Sequence, residues 1–429
     1  MDASTRDPAA SIVRRAPFGS NPLVGERGSD TQRRILGAAL EVFAEVGFSE
    51  ARVELITERA GCSRPAFYQY FSSKDAVFWA LAGQLGTAMV EVAERLERVT
   101  PDAAGLARLR AWIDDFMDLH AAYSPVFAAF QAASRDAKPL ARSSSGISDR
   151  TGDALLRAFG ASRTERSATL ATGLVAVLIR CSFYAEAMPG ALARGPLVDG
   201  LAQMLHRLFA GPIPDVNAVH RRPGGRTRAA VAAPEPSFEE RPLRPRGEKT
   251  RQRLLDAGAS VLPARGYHDT RVDDIVTAAG VSHGTFYRYF ENKDDFFRAL
   301  AEGASTRMIE LLDRLRPDGD VDELRAWLRE WFATYESNGG VISTWQEMQT
   351  NEELAAFSKQ VAASVLTRLV RVLEVRPFGD PTVDAITFLA LIERLPYSVY
   401  TLQFTSQDDA IETMITIIRR GFLALPDPG

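Results

Sequence analysis

Residues 67–71 read Phe67-Tyr68-Gln69-Tyr70-Phe71, and residues 286–290 read Phe286-Tyr287-Arg288-Tyr289-Phe290. The resemblance spreads outward from both strings without a gap. At a constant offset Thr31–Leu81 lies over Thr250–Leu300, with roughly 20 of the 51 positions identical, far above chance for unrelated segments. Leu36, Ala38, Gly47, Val53, Ile56, Ala60, Gly61 and Ser63 fall on Leu255, Ala257, Gly266, Val272, Ile275, Ala279, Gly280 and Ser282. These residue types build cores and turns, so what is repeated is a fold.

The repeated unit reads as helices. Ile35, Leu36, Ala39, Leu40, Phe43 and Ala44 keep the three-and-four spacing of an amphipathic helix that opens near Thr31 and stops at Gly47. A short helix is predicted over Val53–Ala60. Gly61 then permits a left-handed turn, and Ser63 can accept a backbone N–H to start a third helix that runs to about Phe71. A fourth begins at Lys74, behind Ser73 in one copy and Asn292 in the other, both good caps. Helix, glycine turn and serine-capped short helix make a helix-turn-helix.

The rest of the chain fits an all-α protein. Leu109, Ala111, Trp112 and Gln131 align with Leu324, Ala326, Trp327 and Gln346, so the repeat continues faintly. Each half is predicted to end in two apolar helices, about 164–187 and 196–209, then 382–401 and 408–425. The expected division is a tail over 1–29, a helix-turn-helix domain over 30–76, a helical domain over 77–211, a Pro/Arg-rich linker over 212–246, a second helix-turn-helix domain over 247–295 and a second helical domain over 296–429.

The 429 residues carry a net charge of -4, which is no generic polyanion-binding footprint, so any contact with nucleic acid should be local. Positive charge gathers in the tail and linker, where a minor-groove arm competes with simple solubilisation. Two cysteines far apart argue against a disulfide framework and fit a reducing compartment, with cytoplasm the simplest location. The longest unbroken apolar run is too short to span a bilayer, so no membrane association is expected.

The run from Thr31 through Gly61, Ser63 and FYQYF to Lys74-Asp75, and its copy from Thr250 through Gly280, Ser282 and FYRYF to Lys293-Asp294, resembles the TetR family of bacterial transcriptional regulators. The resemblance implies two halves, each a helix-turn-helix unit plus a helical ligand and dimerisation domain, packed as an intramolecular pseudo-dimer. It also implies double-stranded operator DNA as a partner and an apolar or amphipathic small-molecule effector, with no cofactor and no metal. The start of each third helix would read bases: Ser63, Arg64, Pro65 and Ala66 in one copy, Ser282, His283, Gly284 and Thr285 in the other. Arg64 suits guanine, a pairing worth about 1–3 kcal/mol of discrimination. Tyr68, Tyr287, Lys74 and Lys293 sit where the family meets phosphate, and Thr31 and Thr250 could add hydroxyls. Ala66 departs from the family's hydroxyl, which Thr285 keeps.

Each assignment has a plainer counterpart. Phe67, Tyr70 and Phe71 at helical spacing read as core. Tyr68 could merely pack, and Arg64, His283 and the lysines could be solvated surface charges. Cys62 stands where the second copy has Val281, so a small buried residue explains it better than a redox switch. Trp112, Phe116, His120, Phe127 and Gln131 in the first half, with Trp327, Trp331, Tyr335, Trp345 and Gln346 in the second, could line a ligand pocket or form ordinary bundle core.

The function expected is a ligand-responsive repressor with two unlike reading heads on an asymmetric operator. It would work as a monomeric pseudo-dimer or a homodimer, with the fourth helix coupling head to bundle. Arg180 and Phe183, against Arg394 and Tyr397, are expected at the interface of the halves. A sensor or co-regulator with degenerate heads is the alternative. An enzyme is the remoter one, because HExxH, CxxC, Walker-type and GxSxG patterns are absent and no catalytic residue stands out.

Overall fold

The computed structural model describes residues 26–133, 137–188, 192–213, 245–344, 352–373, 380–400 and 402–425. All regular structure among them is helical. The first half contains α1 (Glu26–Glu50), α2 (Val53–Ala60), α3 (Arg64–Tyr70), α4 (Lys74–Glu94), α5 (Ala103–Ala122), α6 (Ser124–Ala133), α7 (Ala137–Ala158), α8 (Glu165–Ala187) and α9 (Arg194–Ala210). The second contains α10 (Pro245–Asp269), α11 (Val272–Ala279), α12 (His283–Tyr289), α13 (Lys293–Arg314), α14 (Val321–Thr344), α15 (Glu352–Leu373), α16 (Pro381–Tyr400) and α17 (Gln407–Thr416), which runs on as a π-helical turn, Ile417–Phe422. Helix α1 starts inside the segment read as tail and α10 inside the segment read as linker.

The local signals act as the sequence suggests. Gly61 and Gly280 both adopt left-handed conformations, φ 61° and 62°, at the ends of α2 and α11. Ser63 and Ser282 each accept the backbone N–H three residues on, and Ser73 and Asn292 do the same at the starts of α4 and α13. The kinks at Gly47 and Gly266 again fall at matching positions with positive φ, 76° and 68°.

Contacts group the chain into two units that do not follow the repeat. One comprises residues 1–88 with 122–134, and the other residues 89–121 with 135–429. In the first, α1, α2 and α3 close over Ile35, Phe43, Ile56, Phe67 and Phe71, and Phe78 joins Phe48 and Phe130 through ring contacts of 5.1 and 5.3 Å. In the second, the head built from α10–α13 buries Leu254, Ile275, Phe286, Phe290 and Phe296. The two cores are filled differently. Where the first head has Ala39 and Val77, the second has Gly258 and Phe296, and a methyl on Gly258 would lie 2.4 Å from the Phe296 ring.

The terminal helices of the two halves pack together, as the pseudo-dimer reading requires. Helix α8 lies against α16 and α17, and α9 against α16 and the π-helical turn. Close approach depends on glycine: a Cβ on Gly200 would sit 2.4 Å from Val383, and one on Gly173 would sit 3.2 Å from Leu395. Arg207 Nε donates to the Gly421 carbonyl at 2.7 Å across this interface. Burial pulls the Arg207 pKa down to about 10 against the attraction of Asp384, and burial pushes Asp384 up to about 6 against Arg207. Desolvation therefore outweighs attraction for both partners.

Helices α4 and α8 are long and apolar enough, by composition, to cross a membrane. That corrects the estimate from unbroken apolar runs, because a window of mixed small and apolar residues passes the test. About half of each window is buried within the protein, 56% and 50%, and α8 carries Arg180 into an ion pair with Glu393. Both read as core helices.

Candidate nucleic-acid interface

The two short third helices present equivalent surfaces. Ser63, Arg64 and Pro65 are exposed on α3, as are Ser282, His283 and Gly284 on α12, while Ala66 and Thr285 are half-buried. Behind them Phe67 and Phe286 are completely buried and anchor each helix to its head. Tyr68 and Tyr287, one residue on, are 53% and 56% exposed although aromatic, each with its ring edge against the buried phenylalanine. An aromatic ring held outward with its hydroxyl in water can reach a phosphate. Tyr70 is half-buried and Phe71 buried, as core residues should be.

A further pair of residues, absent from the sequence reading, holds the leading side chains. Arg64 Nη2 donates to Glu54 Oε1 from α2, and His283 Nε2 pairs with Asp273 Oδ1 from α11. Glu54 and Asp273 are themselves equivalent positions of the repeat. Each head therefore ties the first residue of its third helix to a carboxylate of the preceding helix, although the residues tied are unlike. The matched acids ten residues upstream were the signal that could have revealed this. In the second head the Ser282 and Thr285 hydroxyls also bond at 2.9 Å, a contact that Ala66 denies the first.

The lysines are turned inward. Lys74 Nζ donates to the carbonyls of Phe48, Ser49 and Ala51 at 2.7, 2.9 and 3.0 Å and lies 4.8 Å from the Phe48 ring centroid. An ammonium has three donors, so in this geometry Lys74 ties α4 to the end of α1. Lys293 is half-buried beside Phe297, and burial lowers its pKa in spite of Asp294 and Asp269. Thr31 lies half-buried in α1, and the Thr250 hydroxyl donates back to Arg246 O at 3.1 Å. Burial raises the Cys62 thiol above its ordinary value, with Arg34 opposing, so the thiolate is disfavoured.

The residues named as a possible pocket divide. Trp112 and Trp327 are buried, and their indole N–H groups donate to Val92 O and Leu311 O, both at 2.8 Å, so each pins a long helix to its neighbour. Phe116 stacks obliquely on Trp112, and Trp331 stacks on Trp327 while bonding Ile392 O at 2.8 Å. His120 Nδ1 shares a 2.6 Å hydrogen bond with Glu186, and Tyr335 is buried beside Tyr400. Phe127 is half-buried. The Gln131 side chain, Trp345 and Gln346 lie outside the described residues. A cleft of about 740 Å³ runs between α10, α13 and α14 and is lined by Arg251, Asp256, Glu302, Arg307, Glu330 and Asn338 among others. None of the expected pocket residues lines it. Among the described residues no group of three or more His, Cys, Asp or Glu stands ready to hold a metal ion.

Two solvent-facing recognition helices on helix-turn-helix frames, joined to helical bundles that pack on each other, define a tandem helix-turn-helix protein. Residues 35–81 and 254–300 both match the profile "Bacterial regulatory proteins, tetR family". Among similar proteins, the transcriptional regulator AcuR of Cereibacter sphaeroides is 41% identical over 95 residues, covering 21% of this chain and 43% of that protein. The transcriptional activator FasR of Mycolicibacterium smegmatis is 34% identical over 105 residues, 24% and 47%. The transcriptional repressor DhaR of Mycobacterium sp. is 31% identical over 134 residues, 30% and 63%. The chain thus spans less than two thirds of the length of each. Both heads match the tetR-family profile, and over these two segments the chain is similar to regulators of that family.

Proposed function

We propose that the chain is a ligand-responsive transcriptional repressor that grips one asymmetric operator with two unlike reading heads. The observation that carries this is the pair of matched devices, Glu54 holding Arg64 and Asp273 holding His283, at equivalent positions of two helix-turn-helix frames. A guanidinium can pair bidentately with guanine, whereas an imidazole offers one weaker donor, so the half-sites should differ. Tyr68 and Tyr287 would fix register on phosphate. The chain supplies both heads itself, so a single copy acts as the pseudo-dimer. An effector that favours one spacing of the heads over the other would release DNA through α4 and α13, by its difference in affinity for the two states. No catalytic step belongs to this function, and the protein would work in the cytoplasm.

The test is selection of binding sequences from random duplex DNA, followed by footprinting with Arg64→Ala and His283→Ala. Each variant should relax preference at a different half-site, Arg64→Ala by about 5- to 150-fold at its guanine. Identical selected sequences for wild type and both variants would refute the assignment. Binding without dependence on salt would instead favour a sensor with degenerate heads. A reporter fused to the selected operator distinguishes repression from activation.

A further inference from the structure

The helix equivalences that set Arg180 over Arg394 also set Ile179 over Glu393, Glu186 over Tyr400 and His120 over Tyr335. The same places in the two bundles therefore carry opposite chemistry. In the first half the buried His120 is bonded to Glu186. In the second, the rings of Tyr335 and Tyr400 lie nearly parallel, 14° apart with centroids 6.2 Å distant, and Phe332 is a further 6.2 Å neighbour of Tyr400.

The two arginines differ as well. Arg180 Nε donates to Glu393 Oε2 at 2.8 Å, and the Tyr184 hydroxyl donates to that same oxygen at 2.7 Å. Burial works against the Arg180 charge, but Glu393 and Tyr184 outweigh it, and Arg180 titrates above its ordinary value. Among the described residues Arg394 makes no hydrogen bond or ion pair of this kind, and Glu393 acts on it only as a neighbouring charge. Its guanidinium carbon lies 4.4 Å from the Tyr397 ring centroid, and its buried Nε makes no hydrogen bond. Burial pulls its pKa down. A buried cation deprived of its anion is strongly destabilising, and a guanidinium does not shed its proton near neutrality. Arg180 and Glu393 still expose 16% and 22% of their side chains, so solvent reaches the edge of this cluster.

We infer that Arg394 anchors an effector site in the second half, and that the effector class is a monoanionic carboxylic acid with an apolar body. The guanidinium fork matches a carboxylate bidentately. Tyr335, Tyr397, Tyr400 and Phe332 supply the apolar wall, with the Tyr335 and Tyr397 hydroxyls as further donors, since the Tyr400 hydroxyl donates to Gln407. At the buried cluster Arg180 and Arg394 against Glu393 leave a single excess positive charge, while Glu336 stands exposed at the Tyr400 edge; a carboxylate neutralises that charge and a phosphate dianion would overshoot it. The first half lacks this site, since its arginine already has its carboxylate. The inference deepens the ligand-responsive reading and rests on it for its biological meaning.

The test uses the full chain without DNA. Sodium octanoate and sodium phenylacetate serve as extended and flat probes, with octanamide and phenylacetamide as their neutral isosteres, in titration calorimetry and thermal unfolding. At least one acid should bind ten- to a hundredfold more tightly than its amide. Arg394→Met should abolish that difference while the unliganded variant unfolds at the wild-type temperature or above it, because an uncompensated charge has been removed. Arg180→Met, which strands Glu393, should unfold earlier. Absence of acid-selective binding by either probe overturns the inference. So does unchanged acid binding by Arg394→Met, or an unliganded melting loss in Arg394→Met as large as that of Arg180→Met. DNA binding takes no part in this readout, so a chain that takes the acids but no operator would sink the regulator reading and leave the site standing.

Discussion

Glu393→Leu attacks the contact that most directly joins the two halves of the bundle. In the native protein one carboxylate oxygen accepts from Arg180 at 2.8 Å and from Tyr184 at 2.7 Å, both on α8, while Glu393 itself belongs to α16. Removing the carboxylate strands a mostly buried guanidinium, which costs about 3–5 kcal/mol in comparable buried pairs. The residual exposure of 16% for Arg180 and 22% for Glu393 lets water recover part of that. The expected loss is therefore near the lower bound, about 3 kcal/mol, with roughly 1 kcal/mol more from the Tyr184 hydroxyl. In urea unfolding followed by tryptophan fluorescence, this should move the midpoint down by about 1.3 M if the slope is near 3 kcal/mol per molar. Arg180→Met combined with Glu393→Leu should recover most of the loss, since replacing both charges by apolar groups of similar volume is often neutral or better. A single variant within about 0.5 kcal/mol of wild type, or a double variant no more stable than the single, would refute the view that this pair is coupled across the interface.

Lys74→Met should loosen the end of α1 by about 1–3 kcal/mol, because three carbonyls lose a charged donor; hydrogen exchange at the Ala51 amide, bonded to Gly47 O at 3.1 Å, should quicken. Gly258→Ala drives a methyl into Phe296 and should cost about 1–3 kcal/mol, whereas Gly258→Ala with Phe296→Val restores the first head's Ala39 and Val77 pairing and should regain most of it. Melting temperatures of the three proteins decide this. Asp384 is an acid whose folded pKa, about 6, lies above its ordinary 3.8, so the folded state binds the extra proton. Its contribution is complete below pH 3.8 and is lost as pH rises through 6, and Asp384→Asn should remove that pH dependence. A pH-stability profile of the variant parallel to wild type between 4 and 7 would contradict it.

Much of each head was legible because its signals are local. Gly61 and Gly280 turn left-handed for want of a Cβ, and Ser63, Ser282 and Asn292 cap because a side-chain oxygen reaches an N–H three residues away; neither depends on distant packing. The exposed faces around Arg64 and His283 follow from the same register. The partners of those side chains were less legible. Glu54 and Asp273 stand on another helix, and a carboxylate in sequence does not announce which cation it will meet. Lys74 likewise looked like an outward charge beside a cap, but the kink at Gly47 brings three carbonyls under its ammonium. Two of the expected pocket residues were less legible for a related reason: Trp112 and Trp327 read as ligand walls or core alike, and the seat of their N–H groups on Val92 and Leu311 shows them tying helix to helix.

By itself the sequence determined the duplication, the all-helical class and the unlike leading residues of the two recognition helices, because these depend on residue identity and on spacing within a few turns. Tertiary structure alone decided how charges are shared between helices far apart in the chain. Glu393 has no acidic counterpart in the first half, where Ile179 stands, yet it is Arg180 of that half which captures it, and Arg394, the next residue along, is left facing tyrosines. Coulomb attraction and desolvation act through distances that only the packed helices set.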